Sequence, residues 1–175
     1  GANVKTPSNS GAMPVYVAAQ EGHADVVKVL AELGANVETP TNKGATPVLI
    51  AAQKGHLEVL RLLAELGVDV ETPMNDGVTP AFIAAQNGHV EVVRVLAELG
   101  VDVETPNNNG TTPAFFAAQE GNTEVLRLLA ELGANVETPA NSDGCTPAYI
   151  AAYEGHGEGR RLRAERGTDS DTPTS

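Results

Sequence analysis

The sequence predicts a mainly α protein built as an array of helix–turn–helix units, and three observations carry that prediction. Gly34, Gly67, Gly100 and Gly133 recur every 33 residues inside matching text, and a period of that length marks a repeat architecture. Each period contains a Thr-Pro pair directly ahead of an apolar run, which is how a helix begins. A second run, closing on the recurring glycine, is apolar along one side only.

The second unit shows the elements in order. Thr46-Pro47 opens VLIAAQKGH, Gly55-His56 interrupts it, and LEVLRLLAELG runs on to Gly67. Thr46 suits an N-cap, because its hydroxyl can accept from an unpaired amide of the first turn. Pro47 suits the first helical position, where no amide hydrogen is needed. Val59, Leu60, Leu62, Leu63 and Leu66 share one face of the second helix, opposite Glu58, Arg61 and Glu65, the stripe of a helix packed on one side. Gly67 then provides a left-handed stop. The other Thr-Pro pair, Thr39-Pro40, lies between the extended-looking Ala35-Asn36-Val37-Glu38 and the turn signal Asn42-Lys43-Gly44. It reads as the end of an edge strand, where a residue without an amide hydrogen blunts further pairing. Phosphorylation at Thr-Pro is the functional alternative, but the structural roles account for both threonines.

The pattern TPxxxAAxxGHxEVxxxLAELGA is matched five times, with substitutions, between Pro7 and about Thr172 and resembles the ankyrin repeat. The resemblance implies two antiparallel helices and a projecting β-hairpin per unit, stacked into an α-solenoid whose concave face binds other proteins. The units are then residues 7–39, 40–72, 73–105 and 106–138, with 139–172 a degenerate C-terminal cap, 1–6 the tail of a preceding unit and 173–175 a tail, all within one array over 1–175. In the cap Gly159, Arg160, Arg163 and Arg166 replace Val, Leu, Leu and Leu of earlier units, giving the polar outer face a terminal unit needs. Gly157 and Gly159 cost roughly 1 kcal/mol each in a helix, so fraying is expected beyond Gly155. Asn141-Ser142-Asp143-Gly144 carries an extra residue and should lengthen the last hairpin.

Three departures from the family pattern bear on structure. After Thr-Pro the family usually has His in the position taken here by Tyr16, Leu49, Phe82, Phe115 and Tyr149, preceded by Val15, Val48, Ala81, Ala114 and Ala148. Ala accompanies Phe and Val accompanies Leu, a trade of volume that keeps packing dense. The usual hairpin aspartate is replaced by Ser8, Thr41, Met74, Asn107 and Ala140, so hairpin hydrogen bonding is expected to differ. Met13 replaces the capping threonine of the first unit.

Composition limits function. Aromatic residues make up 3% of the chain, too few for one large globular centre. A formal charge of -12 argues against phosphate backbones and anionic lipid, which need basic patches; neither nucleic acid nor membrane is an expected partner. Cys145 is the lone cysteine, so no internal disulfide or CxxC metal site exists, and an intracellular, cytoplasmic location is compatible. No cofactor is expected.

His23, His56, His89 and His156 occupy equivalent positions of different units, with Asn122 in the same slot of the fourth. Stacked helices stand roughly 8–10 Å apart, whereas one zinc draws its ligands to about 2 Å. They read as turn-stabilising residues, with no metal. Glu38, Glu71, Glu104 and Glu137, beside Asp69, Asp102, Asn36 and Asn135, have no calcium-loop spacing and read as a solvated acidic edge. No nucleophile is placed beside a histidine base, so a non-enzyme is expected.

The family resemblance puts the interaction surface on hairpin tips and the exposed side of each first helix. Position by position, that implies Asn42, Lys43, Ala45, Gln53 and Lys54 in the second unit, and Asn75, Asp76, Val78, Gln86 and Asn87 in the third. The fourth contributes Asn108, Asn109, Thr111, Gln119 and Glu120, and the last Tyr153. The leading expectation is a monomeric scaffold for a protein partner; a spacer role or end-to-end self-association is the alternative.

Overall fold

A computed structural model describes residues 13–137, 139 and 144–155. Eight helices alternate along it: α1 (Pro14–Gln20), α2 (Ala24–Glu32), α3 (Pro47–Lys54), α4 (Leu57–Glu65), α5 (Pro80–Gln86), α6 (Val90–Glu98), α7 (Pro113–Gln119) and α8 (Thr123–Glu131). A ninth helical stretch covers 147–155. The expected tail at 1–6, the extended loop at 140–143, His156, and the cap and fraying beyond Gly155 lie outside the described residues.

The helix starts follow the local chemistry. Thr46, Thr79, Thr112 and Thr146 each accept at Oγ1 from the amide three residues on, at 3.1–3.3 Å, and proline occupies the first turn of α1, α3, α5 and α7. Met13 has the same extended backbone but makes no side-chain cap. At the end of α4, Gly67 turns left-handed at φ 80°. Gly67 N then donates to Ala64 O at 3.0 Å and Val68 N to Leu63 O at 3.1 Å, the paired bonds that close a helix on a left-handed residue.

Helices of seven to nine residues are marginal alone, and stacking supplies what they lack. The first helices, α1, α3, α5 and α7, pack in one row; α2, α4, α6 and α8 form a second row against it. Ala51, Ala52, Ala84, Ala85 and Ala117 are fully buried in the first row, and Leu60, Leu63, Val93 and Leu96 in the second. Val48 with Leu49, Ala81 with Phe82 and Ala114 with Phe115 are all buried, as the traded volumes require. The dependence on a neighbour shows at one equivalent position: Val59 is 0% exposed, whereas Val26, with no described unit before it, is 42% exposed.

Two expectations are corrected. Among the described residues there is no strand, so the projecting hairpins are tight turns. The reason is local: Glu38, Glu71, Glu104 and Glu137 each donate their backbone N–H to the side chain two residues back, at 2.8–2.9 Å, and such Asx turns bend the chain where an edge strand would run. The apolar stripe of α4 is also narrower than its periodicity suggests. Val59, Leu60 and Leu63 are buried, Leu62 is half-buried, and Leu66, beyond the last helical turn, is exposed together with Leu33, Leu99 and Leu132.

Candidate functional site

The loop tips form one row of repeated positions and the first helices another. Within each tip the chain closes a short turn: Thr41 N donates to Ala45 O, Met74 N to Val78 O and Asn107 N to Thr111 O, at 2.9–3.0 Å. The side chain standing in for the expected aspartate then decides the rest of the turn. Thr41 Oγ1 accepts from Ala45 N at 3.2 Å, and Asn107 Oδ1 accepts from both Asn109 N and Thr111 N at 3.0 and 3.1 Å. Met74 has no acceptor of that kind, and Asp76 Oδ1 accepts from Val78 N at 3.2 Å instead.

Successive tips are tied together by asparagine. Asn75 donates its backbone N–H to Lys43 O and its side-chain Nδ2 to Asn42 O, both at 3.1 Å. Asn108 repeats the arrangement on Asp76 O at 2.9 Å and Asn75 O at 3.1 Å. The asparagine therefore clamps each tip to the one before it. Its recurrence has an internal cause.

Histidine performs the corresponding task between the helices. His56 Nε2 lies 3.0 Å from Gln20 O, and His89 Nε2 lies 2.9 Å from Gln53 O. A carbonyl only accepts, so Nε2 carries the proton in each ring. His56 and His89 thus fasten one unit to the preceding one rather than stabilising only their own turn, which corrects the expectation from sequence at these two positions. Asn122 does the same work with an amide, donating from Nδ2 to Gln86 O at 2.8 Å and to Ala85 O at 3.2 Å.

The glutamates are not a merely solvated edge either. Glu38 Oε1 accepts from Asp69 N at 3.3 Å, Glu71 Oε1 from Asp102 N at 2.9 Å, and Glu104 Oε1 from Asn135 N at 2.5 Å. Alternating with the Asx turns, these bonds make a continuous line from Asn36 to Glu137. Among the described residues, no three His, Cys, Asp or Glu side chains are grouped to hold a metal ion.

The sixteen positions expected to meet a partner therefore divide. Ala45 and Thr111 are 6% and 8% exposed, beneath the tips rather than on them, because their backbone closes each turn. Val78, Gln53 and Gln86 are half-buried; Gln53 O and Gln86 O receive the next unit's His89 and Asn122. Asn42, Asn75 and Asn108 are exposed but take part in the clamp. The side chains of Lys43, Asp76, Asn109, Lys54, Asn87, Glu120, Gln119 and Tyr153 are exposed, and none makes a hydrogen bond to another unit. At two exposed positions, one on the tips and one on the helices, the series read Lys43, Asp76, Asn109 and Lys54, Asn87, Glu120.

No helix among the described residues is long and apolar enough to cross a membrane. A search of curated proteins finds no match to the chain. A family model described as ankyrin repeats (3 copies) matches residues 1–74, 68–139 and 99–172, overlapping stretches that span all the helix pairs described above. The chain accordingly belongs to the ankyrin-repeat family, whose members are in general non-catalytic modules of protein–protein interaction.

Proposed function

We propose that the chain is a binding scaffold whose partner, a protein, lies across the row of loop tips and the exposed ends of the first helices. One observation carries this reading. The exposed side chains that differ from unit to unit, Lys43, Asp76 and Asn109 at the tips and Lys54, Asn87 and Glu120 on the helices, are free of bonds between units. Recurring Asn75, Asn108, His56, His89, Glu38, Glu71 and Glu104 are consumed in holding the array together. A surface that varies over a recurring frame suits recognition, since exposed substitutions change contacts with little effect on stability. The formal charge of -12 favours a partner with basic or polar groups, steered electrostatically to the array.

The test is affinity capture and cross-linking with the chain and with a variant carrying Lys43→Ala, Asp76→Ala, Asn87→Ala and Glu120→Ala, its fold checked by circular dichroism. A protein bound by the first and released by the second supports the reading. Identical capture by both would sink it. The variant leaves Asn75 and Asn108 intact, so that a loss of binding is not a loss of the clamp.

A further inference from the structure

We propose that Asn109 is a site of spontaneous, structure-directed deamidation, which turns the tip of the fourth unit from a neutral amide into a carboxylate. The sequence contains two Asn-Gly pairs, Asn87-Gly88 and Asn109-Gly110. In such a pair the glycine has no Cβ to shield its backbone nitrogen. That nitrogen attacks the asparagine Cγ. An N–Cγ bond forms, the Cγ–Nδ2 bond breaks, and ammonia leaves carrying the former glycine amide proton. Water then opens the cyclic imide: cleavage at the side-chain carbonyl yields Asp, and cleavage at the main-chain carbonyl yields isoAsp.

The two pairs share the chemistry but not the surroundings. Both glycine amides are engaged in a turn, Gly88 N with Ala85 O at 3.2 Å and Gly110 N with Asn107 O at 2.9 Å, so each must first open. Asn87 carries a second restraint. It caps α5, and its Nδ2 donates to Ile83 O at 2.8 Å, which holds the side chain back along its own helix. Gly88 is half-buried, with the Asn122 Oδ1 atom 2.8 Å from the place a Cβ would occupy. At the other pair both residues are exposed and the Asn109 side chain makes no hydrogen bond. Asn109 Cγ is free to rotate toward Gly110 N; Asn87 Cγ is not.

The tip is also built to survive the change to Asp. Asn107 Oδ1, not the Asn109 amide, holds Asn109 N and Thr111 N, and Asn108 holds the clamp to Asn75. The preceding unit carries the product already: Asp76 stands at the same position ahead of Gly77 and is accommodated in the turn. Deamidation thus gives adjacent tips matching carboxylates. The isoAsp product differs, because its extra backbone methylene falls between the Asn109 N and Thr111 N bonds and loosens the turn. The modification itself is independent of the proposed binding role; its effect on a partner rests on that role.

The experiment incubates the folded chain at mildly alkaline pH and follows both sites by peptide mapping, with enzymatic methylation marking isoAsp. The need to release the Asn87 side-chain bond, together with the tighter site, predicts acid at Asn109 about tenfold faster than at Asn87. In concentrated urea the two rates should converge, since the restraints are lost. Asn87 reacting as fast as Asn109 in the folded chain, or a ratio unchanged by urea, overturns the proposal. The variant Asn109→Asp, melting like the unmodified chain, supports the claim that the tip tolerates the product; a large drop in its Tm refutes that claim.

Discussion

Replacing His89 by alanine tests whether the histidines are couplings between units. The perturbation removes the Nε2–H donor to Gln53 O, 2.9 Å away, and leaves a half-covered carbonyl without its partner. A net hydrogen bond of this kind contributes about 1 kcal/mol. The ring also roofs Gly55: a Cβ placed there would stand 2.7 Å from His89 Nδ1, so removing the ring opens a gap costing about another 1 kcal/mol. The expected loss is therefore about 2 kcal/mol, or about 4–8 °C in Tm for a chain of this size. Two companion variants isolate the cause. His23 is exposed, and its ring makes no hydrogen bond, so His23→Ala should change stability by less than about 0.5 kcal/mol. His89→Asn should recover at least half of the loss, because Asn122 already makes the equivalent bonds in the next unit. Urea denaturation followed by circular dichroism measures all three. Equal losses for His89→Ala and His23→Ala, or an Asn variant no better than Ala, would refute the coupling.

Three further outcomes are expected. Thr79→Ala removes a buried cap whose Oγ1 accepts from Phe82 N at 3.1 Å and should cost about 1–2 kcal/mol, while Met13→Thr, placed on an already extended backbone, should add about 1 kcal/mol; both are read from denaturation midpoints. Asn75→Ala deletes the side-chain bond to Asn42 O and should cost about 1 kcal/mol, with hydrogen exchange accelerating at the Gly44 and Ala45 amides before the helices respond. Gly55→Ala and Gly67→Ala impose a similar left-handed strain, φ 75° and 80°, of about 1–2 kcal/mol. Only Gly55 faces a ring, so its variant should lose more stability in thermal melts, and equal losses would contradict the packing of His89 over it.

How far the sequence could be read depended on the distance between partners. Thr46 caps an amide three residues away, and the turn at Gly67 lets Gly67 N donate to Ala64 O and Val68 N to Leu63 O; both were legible because capping is local and has characteristic residue types. The repeat unit was equally legible, since the apolar positions follow the helical period. The expected edge strand failed for the opposite reason. Ala35 to Glu38 looks extended by composition, but the Asn36 side chain captures the Glu38 amide, and no period announces that competition.

The candidate surface was blurred by the repeat itself. A residue that recurs every 33 positions has identical text around it, so sequence alone assigns its partner equally well to its own unit or to the next. His56, Glu38 and Asn75 all bond across that boundary, over 36, 31 and 33 residues. The sequence therefore leaves the first two of these roles within a unit or in solvent and puts Asn75 among the partner-facing side chains. One signal did point the right way. Asn122 substitutes for histidine in the fourth unit, and a planar N–H donor is what the two share, which suits a fixed carbonyl better than it suits a metal or a titrating base. The same logic separates frame from surface: positions bound to a neighbouring unit must keep their donor or acceptor, so the exposed places where Lys, Asp and Asn exchange are those whose side chains make no bond between units.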